Sequence, residues 1–240
     1  MNRSPKNNSI LLPVKTEVHK LLYDLQICLN TQWKEHFNTN DYSGSWTVIA
    51  LRSQTGNAQD IHASNSDLPF KDTPLMNACL YYKEMIDSLK FEKETIRLLR
   101  LQPESIVKEH RDMGLAYRFG CFRLHIPIVT DTSVSFKVGG NNIQMEQGEC
   151  WYADFDLPHS VNNKSNNERI HLVIDGKRNE WTDELFASAG YDFEEEKRAR
   201  DYPLETKKKM IDQLLMLNTP AAKEIIKNLE LEIKNTCSPK

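Results

Sequence analysis

The sequence predicts a mainly β protein with helices flanking the strands. Three observations carry that expectation. Residues 95–175 are dense in short apolar runs separated by turn residues. Two stretches before them, residues 15–33 and 73–89, place apolar side chains at helical spacing. After Trp181 the spacing becomes helical again. At 240 residues the chain can hold one sizeable core plus an appendage. The expected division is a first domain over residues 1–180 and a helical appendage over 181–240.

In chain order, Val18, Leu21, Leu22, Leu25 and Cys28 form the stripe of the first amphipathic helix. Residues 46–51 form a candidate strand, and residues 52–72 a polar loop. Thr73-Pro74 opens a second helix, with Leu75, Cys79, Tyr82, Met85 and Leu89 on one stripe. Gly139-Gly140-Asn141-Asn142 is a hairpin signal. In the run from Cys121 to Ile128, Phe122, Leu124, Ile126 and Ile128 share one face, with Arg123 and His125 opposite. The run from Arg169 to Asp175 repeats the device, with Arg169 and His171 opposite Ile170, Leu172 and Ile174. Two such polar faces predict a shared anion-binding cavity, because an arginine is costly to bury without an anion or hydrogen bonds. In the appendage, Met210, Leu214, Leu215 and Leu217, then Ile225, Ile226, Leu229 and Ile233, mark two closing helices. We expect these to pack on the core, or against a second copy of the chain as a homodimer, instead of forming a flexible tail.

A formal net charge of −3 gives no general case for nucleic acid or an anionic membrane as partner. No apolar run is long enough to span a bilayer, and Ile10-Leu11-Leu12-Pro13-Val14 is too short for a signal segment. The five cysteines, Cys28, Cys79, Cys121, Cys150 and Cys237, are odd in number and lack C-x-x-C spacing. They read as reduced thiols of a cytoplasmic protein, a compartment that also keeps iron ferrous.

Chemistry concentrates in His110-Arg111-Asp112, His159 and Arg169. Two imidazoles and one carboxylate with open positions left over suit non-haem Fe(II) in oxygen-activating enzymes. On an extended strand His110 and Asp112 would point to one face and could share a metal, with His159 arriving from a second strand after the turn Asp156-Leu157-Pro158. Oxygen activation needs electrons, and 2-oxoglutarate is a dicarboxylate that would chelate iron and fill the guanidinium fork of Arg169.

Further motifs accompany these residues in order: Arg97-Leu98-Leu99-Arg100-Leu101, Arg123-Leu124-His125-Ile126-Pro127, Gly148-Glu149-Cys150-Trp151 and His159-Ser160-Val161-Asn162-Asn163. Over residues 46–175 the chain thereby resembles the aspartyl/asparaginyl β-hydroxylase family of Fe(II)- and 2-oxoglutarate-dependent dioxygenases, in the bacterial branch related to free-proline hydroxylases. The resemblance implies a double-stranded β-helix (jelly-roll) core followed by C-terminal helices. It also implies iron on His110, Asp112 and His159, and Arg169 on the distal carboxylate of 2-oxoglutarate. Arg123 and His125 would lie near the iron-proximal end of that co-substrate. O2 would be consumed, 2-oxoglutarate would leave as succinate and CO2, and the substrate would gain a hydroxyl. Asp112 argues against halogenation and for the bacterial branch, since vertebrate members lack this ligand. Some members place a serine on the strand before the first ligand, where this chain has Arg97-Leu98-Leu99-Arg100. His171 reads either as a further site residue or as a structural imidazole inside the barrel.

The expected reaction is hydroxylation of an amino acid, most simply a free one, proline-like or acidic or amide-bearing. The alternatives are hydroxylation of Asp or Asn residues in a peptide or protein, and a catalytically silent jelly-roll binding module. The silent module would have lost a ligand, and all three are present. A substrate carboxylate needs a cation, and Arg118, on the loop before the Arg123 strand, reads either as that cation or as an exposed loop arginine.

Overall fold

In the computed structural model residues 7–62, 68–200, 204–217 and 219–236 are described. Cys237 and the N-terminal residues 1–6 lie outside them. The strands are β1 (Ser9–Leu12), β2 (Lys34–Glu35), β3 (Tyr42–Ser43), β4 (Trp46–Ser53), β5 (Lys71–Asp72), β6 (Lys93–Leu101) and β7 (Ile106–His110). They continue as β8 (Cys121–Val129), β9 (Val134–Val138), β10 (Asn141–Ile143), β11 (Cys150–Ala153), β12 (His159–Asn163) and β13 (Arg169–Lys177). The helices are α1 (Val18–Leu29), α2 (Pro74–Ala78), α3 (Leu80–Ser88), α4 (Glu180–Ser188), α5 (Phe193–Arg200), α6 (Leu204–Leu217) and α7 (Pro220–Thr236).

All strand pairs are antiparallel. The larger sheet runs β1-β11-β8-β13-β6-β4-β2, with β5 also on β4, and the smaller runs β10-β9-β12-β7-β3. Trp46, Val48, Leu99, Leu101 and Val173 of the larger sheet share one buried cluster with Val107, Phe136, Val138 and Val161 of the smaller. The inner faces therefore pack on each other as a jelly roll. The opposite face of the larger sheet buries Leu98, Leu124, Ile126, Leu172 and Ile174. This two-sided burial explains why β13 is apolar at nearly every second position, yet carries Arg169, His171 and Asp175 between.

The hairpin signal is realised. Val138 pairs with Asn141 around Gly139-Gly140, both at positive φ, which glycine adopts without Cβ strain. The second helical stripe, in contrast, is split. α2 starts under the Thr73 side chain, which accepts a hydrogen bond from the Met76 N–H, and the helix breaks at Cys79 before α3 resumes. The buried Asp24 carboxylate of α1 accepts the Tyr82 N–H at 2.8 Å, a cap that a periodicity argument does not see. β1 was read only as a short apolar run. It closes an edge of the larger sheet by pairing with β11.

The chain divides after Asp192 into units 7–192 and 193–236 of the described residues, twelve residues beyond the expected boundary. The cause is α4. Its Phe186 stacks on Tyr117 at 3.8 Å, and the Tyr117 hydroxyl donates to Asp183 at 2.6 Å, so α4 completes the jelly-roll unit. In the second unit α6 packs against α7, the two closing helices read from the sequence. Among the described residues no helix is long and apolar enough to cross a membrane.

One turn gives a direct stability test. Gly148 has φ +83°, and a Cβ there would meet Thr16 Oγ1 and Val18 Cγ2, each at 2.8 Å. Its N–H also donates to the Pro127 carbonyl at 2.8 Å. Gly148→Ala combines left-handed strain with overpacking, so urea unfolding should show a loss of about 1–3 kcal/mol.

Candidate active site

His110 ends β7 and His159 begins β12, and the two are register partners across the smaller sheet. Their rings lie 4.2 Å apart, inclined at 55°. β7 stops at His110, so Asp112 is placed by the following loop and not by the strand alternation expected from the sequence. That loop is tied to the β11–β12 connection by the Asp112 N–H donating to the Phe155 carbonyl at 2.9 Å. One ligand atom from each of His110, Asp112 and His159 lies within 4.8 Å of the others.

The surroundings prepare all three as ligands. His110 Nδ1 lies 2.8 Å from the Lys108 carbonyl, and His159 Nδ1 lies 3.0 Å from the Leu157 carbonyl. A nitrogen facing a carbonyl carries the proton, which leaves each Nε2 lone pair for a metal. Burial pushes the His159 pKa down to about 4, so this imidazole is neutral at physiological pH. Burial also opposes charge on Asp112, but Arg123 and the two histidines outweigh it and hold the carboxyl below its ordinary range. Arg123 donates to Asp112 Oδ2 at 2.7 Å, while Oδ1 faces His110 Nε2 at 3.8 Å. Two imidazole nitrogens and one carboxylate oxygen, with no further ligating side chain in the cluster among the described residues, fit a divalent iron.

A cavity of about 580 Å³ contains these three residues and also Arg123, His125 and Arg169. Arg169 is 3 % exposed, and no carboxylate pairs with it among the described residues. Its hydrogen-bond partner there is His171 Nδ1 at 3.0 Å, its Nε has none, and burial pushes its pKa down to about 9. The Phe136 ring lies 5.5 Å from the guanidinium. A buried cation in this condition is costly to the fold unless an anion joins it. His171 also meets His125 Nδ1 at 3.3 Å and does not line the cavity, so it orients Arg169 from behind. Burial holds both imidazoles neutral.

All six residues read as metal or co-substrate ligands line this one cavity: His110, Asp112 and His159 cluster, Arg123 bonds to Asp112, and His125 and Arg169 stand on its wall. Arg118 is placed otherwise. It does not line the cavity; its guanidinium pairs with Asp154 and, at 2.8 Å, with Asp156, and it packs on Phe119 at 4.5 Å. Satisfied by two carboxylates, it is not the free cation that a substrate carboxylate needs.

Sequence reasoning missed a second set of cavity residues. Asp175 accepts from Arg123 Nε at 2.6 Å, Arg97 at 2.9 Å and Thr95 at 2.6 Å. Its carboxyl is held far below the ordinary range by those two arginines against the opposing effect of burial. Alternation along β13 does put Asp175 on the face of Arg169, but its partners are set by the registers Asp175↔Arg123 and Val173↔Arg97. His36 was also missed. Its ring stacks on Trp46 at 3.7 Å at the cavity wall, and burial with Arg97 and Arg123 nearby pushes its pKa down to about 3.

The model of the Aspartyl/Asparaginyl beta-hydroxylase family matches residues 14–179. An L-proline cis-4-hydroxylase from Rhizobium meliloti is 28 % identical over 136 residues, which are 55 % of this chain and 48 % of that protein. The match thus spans about half of that relative's length. Among solved structures, a 2OG-Fe(II) oxygenase family oxidoreductase from Burkholderia pseudomallei superposes with a TM-score of 0.50 at 13 % identity, covering 72 % of this chain and 87 % of that one. HygX from Streptomyces hygroscopicus, solved with nickel and 2-oxoglutarate bound, gives 0.50 at 7 % identity, covering 72 % and 84 %. At those identities the likeness concerns the fold. With a family model matching residues 14–179, more than half of its length, this chain belongs to the aspartyl/asparaginyl beta-hydroxylase family.

Proposed function

We propose that this chain is an Fe(II)- and 2-oxoglutarate-dependent dioxygenase that hydroxylates a small free amino acid. The observation that carries the reading is Arg169: a buried guanidinium without a carboxylate, sharing a cavity with a preformed His-Asp-His ligand set. His110, Asp112 and His159 hold the iron. Bound iron, with 2-oxoglutarate and O2, supplies the oxidising chemistry, the co-substrate leaving as succinate and CO2 while the substrate C–H becomes C–OH.

The chain's own part is electrostatic and geometric. Arg169 takes the distal carboxylate of 2-oxoglutarate in a bidentate fork, and Phe136, Phe155 and Val161 exclude water from the same cavity. Arg123 fixes Asp112 through one carboxylate oxygen and keeps the other free. Four arginines, Arg97, Arg111, Arg123 and Arg169, and four carboxylates, Asp41, Glu94, Asp112 and Asp175, line the cavity. Those formal charges balance, so it is on the proline hydroxylase relative that the preference rests for an amino-acid substrate. The stacked His36 and Trp46 offer its body a flat, neutral wall. The proline hydroxylase relative supports a substrate of this size.

Succinate release, measured with each free amino acid in turn, tests the reading. A proline-like, acidic or amide amino acid should stimulate turnover. Stimulation only by Asp- or Asn-containing peptides would favour the peptide substrate, and binding of amino acids without turnover would favour a silent module.

A further inference from the structure

The segment that carries Asp112 and the segment that leads to His159 are joined most extensively through Asp156. Its Oδ1 accepts the Gly114 N–H at 2.9 Å, and its Oδ2 accepts from Arg118 at 2.8 Å and Arg111 at 3.3 Å. Its backbone carbonyl accepts Arg111 Nε at 2.5 Å. Every one of these donors lies in residues 111–118, on one side or the other of Asp112. Asp156 itself stands three residues before His159, held from behind by its own N–H on Asp154 Oδ1 at 3.1 Å. Arg118 spans both acids, since it also pairs with Asp154. None of Asp154, Asp156 and Arg118 lines the cavity.

We infer that Asp156, braced by Arg118, is a positioning residue for the metal site, a latch that sets the separation of Asp112 from His159. The inference rests on the proposed iron site. β7 ends at His110, so no strand hydrogen bonds hold Asp112 in place. Its ordering comes from the Phe155 carbonyl and the Leu115 N–H, which donates to the Asp112 carbonyl at 3.0 Å, from Arg123 and from this latch. Arg123 orients the carboxylate, whereas Asp156 fixes the backbone on which it rides. A ligand carried on an untethered loop would have to be ordered at each binding event, at an entropic cost to metal affinity. Arg118, in sequence a candidate substrate cation, takes its place here instead.

The test is an anaerobic titration of metal-free protein with Fe(II), combined with the melting temperature of the metal-free form. Asp156→Ala should weaken Fe(II) binding by about 10- to 100-fold. Asp156→Asn keeps an acceptor for the Gly114 N–H and should recover part of the loss. Arg118→Met, which cuts the brace and leaves Gly114 capped, should weaken binding by a smaller factor and serves if Asp156→Ala fails to fold. Gly148→Ala, destabilised at a remote turn, controls for loss of stability and should bind Fe(II) as wild type does. Wild-type affinity in both Asp156→Ala and Arg118→Met would overturn the latch alone, as would an equal loss in Gly148→Ala. No Fe(II) uptake by wild type would overturn the latch together with the iron site beneath it.

Discussion

His110→Ala and His159→Ala each leave a chain that folds but retains no iron and releases no succinate. Each substitution removes one of two nitrogen ligands from a three-ligand set, and among the described residues no fourth member of the cluster is there to replace it. Metal analysis of the purified variants should fall from one iron per chain to background, with turnover lost alongside. Stability should move the other way or little, because His159 is a buried imidazole whose Nε2 has work only when a metal is present. Wild-type iron content in both variants would refute the assignment.

Arg169→Met is expected to have opposite effects on binding and on stability. It removes the fork for the distal carboxylate, so the apparent KM for 2-oxoglutarate should rise by a factor equivalent to about 2–5 kcal/mol, roughly 30-fold to several thousand-fold. It also removes a buried cation that lacks a carboxylate in the free protein, so the ligand-free melting temperature should rise. The sign follows from the depressed pKa of this guanidinium: the folded state disfavours the charge relative to the unfolded chain. Arg169→Lys keeps a charge but loses the planar fork, and should fall between the two in KM. An unchanged KM in both variants would move the anchor elsewhere, with Arg123 the next cation on the cavity wall.

Much of this candidate site is legible in the sequence, and the reasons are local. His110, His159 and Arg169 stand at strand ends, where turn residues and period-two alternation mark the boundaries. Arg123 and His125 stood out as a polar face on a strand whose other face is core. What stayed hidden depends on which strands pair. Asp175 meets Arg123 and Arg97 only through the registers of β13 with β8 and β6, and no spacing along one strand encodes that. Arg118 could not be decided from its own stretch for the same reason: its two carboxylates arrive from the β11–β12 connection 36 and 38 residues on. His36 sits next to no motif, and only its stacking on Trp46 brings it to the cavity.

The fold shows the same division. Helical stripes and the Gly-Gly hairpin were readable because each element satisfies its own pattern. β1 was missed because four residues carry too little periodicity, and its strand state depends on the edge that β11 offers. In sequence α4 reads as the first appendage helix, whereas in the structure it belongs to the first unit. Its aromatic face is matched to Tyr117 and Phe122 of the jelly roll.

The central claim is that one cavity holds a metal on His110, Asp112 and His159 and the co-substrate between that metal and Arg169. Calorimetric titration of 2-oxoglutarate, with and without Mn(II) as a redox-silent substitute for iron, tests it most directly. The account predicts one 2-oxoglutarate per chain, bound tightly only when the metal is present and lost in Arg169→Met. Equal binding to the metal-free protein, or undiminished binding to metal-loaded Arg169→Met, would contradict it.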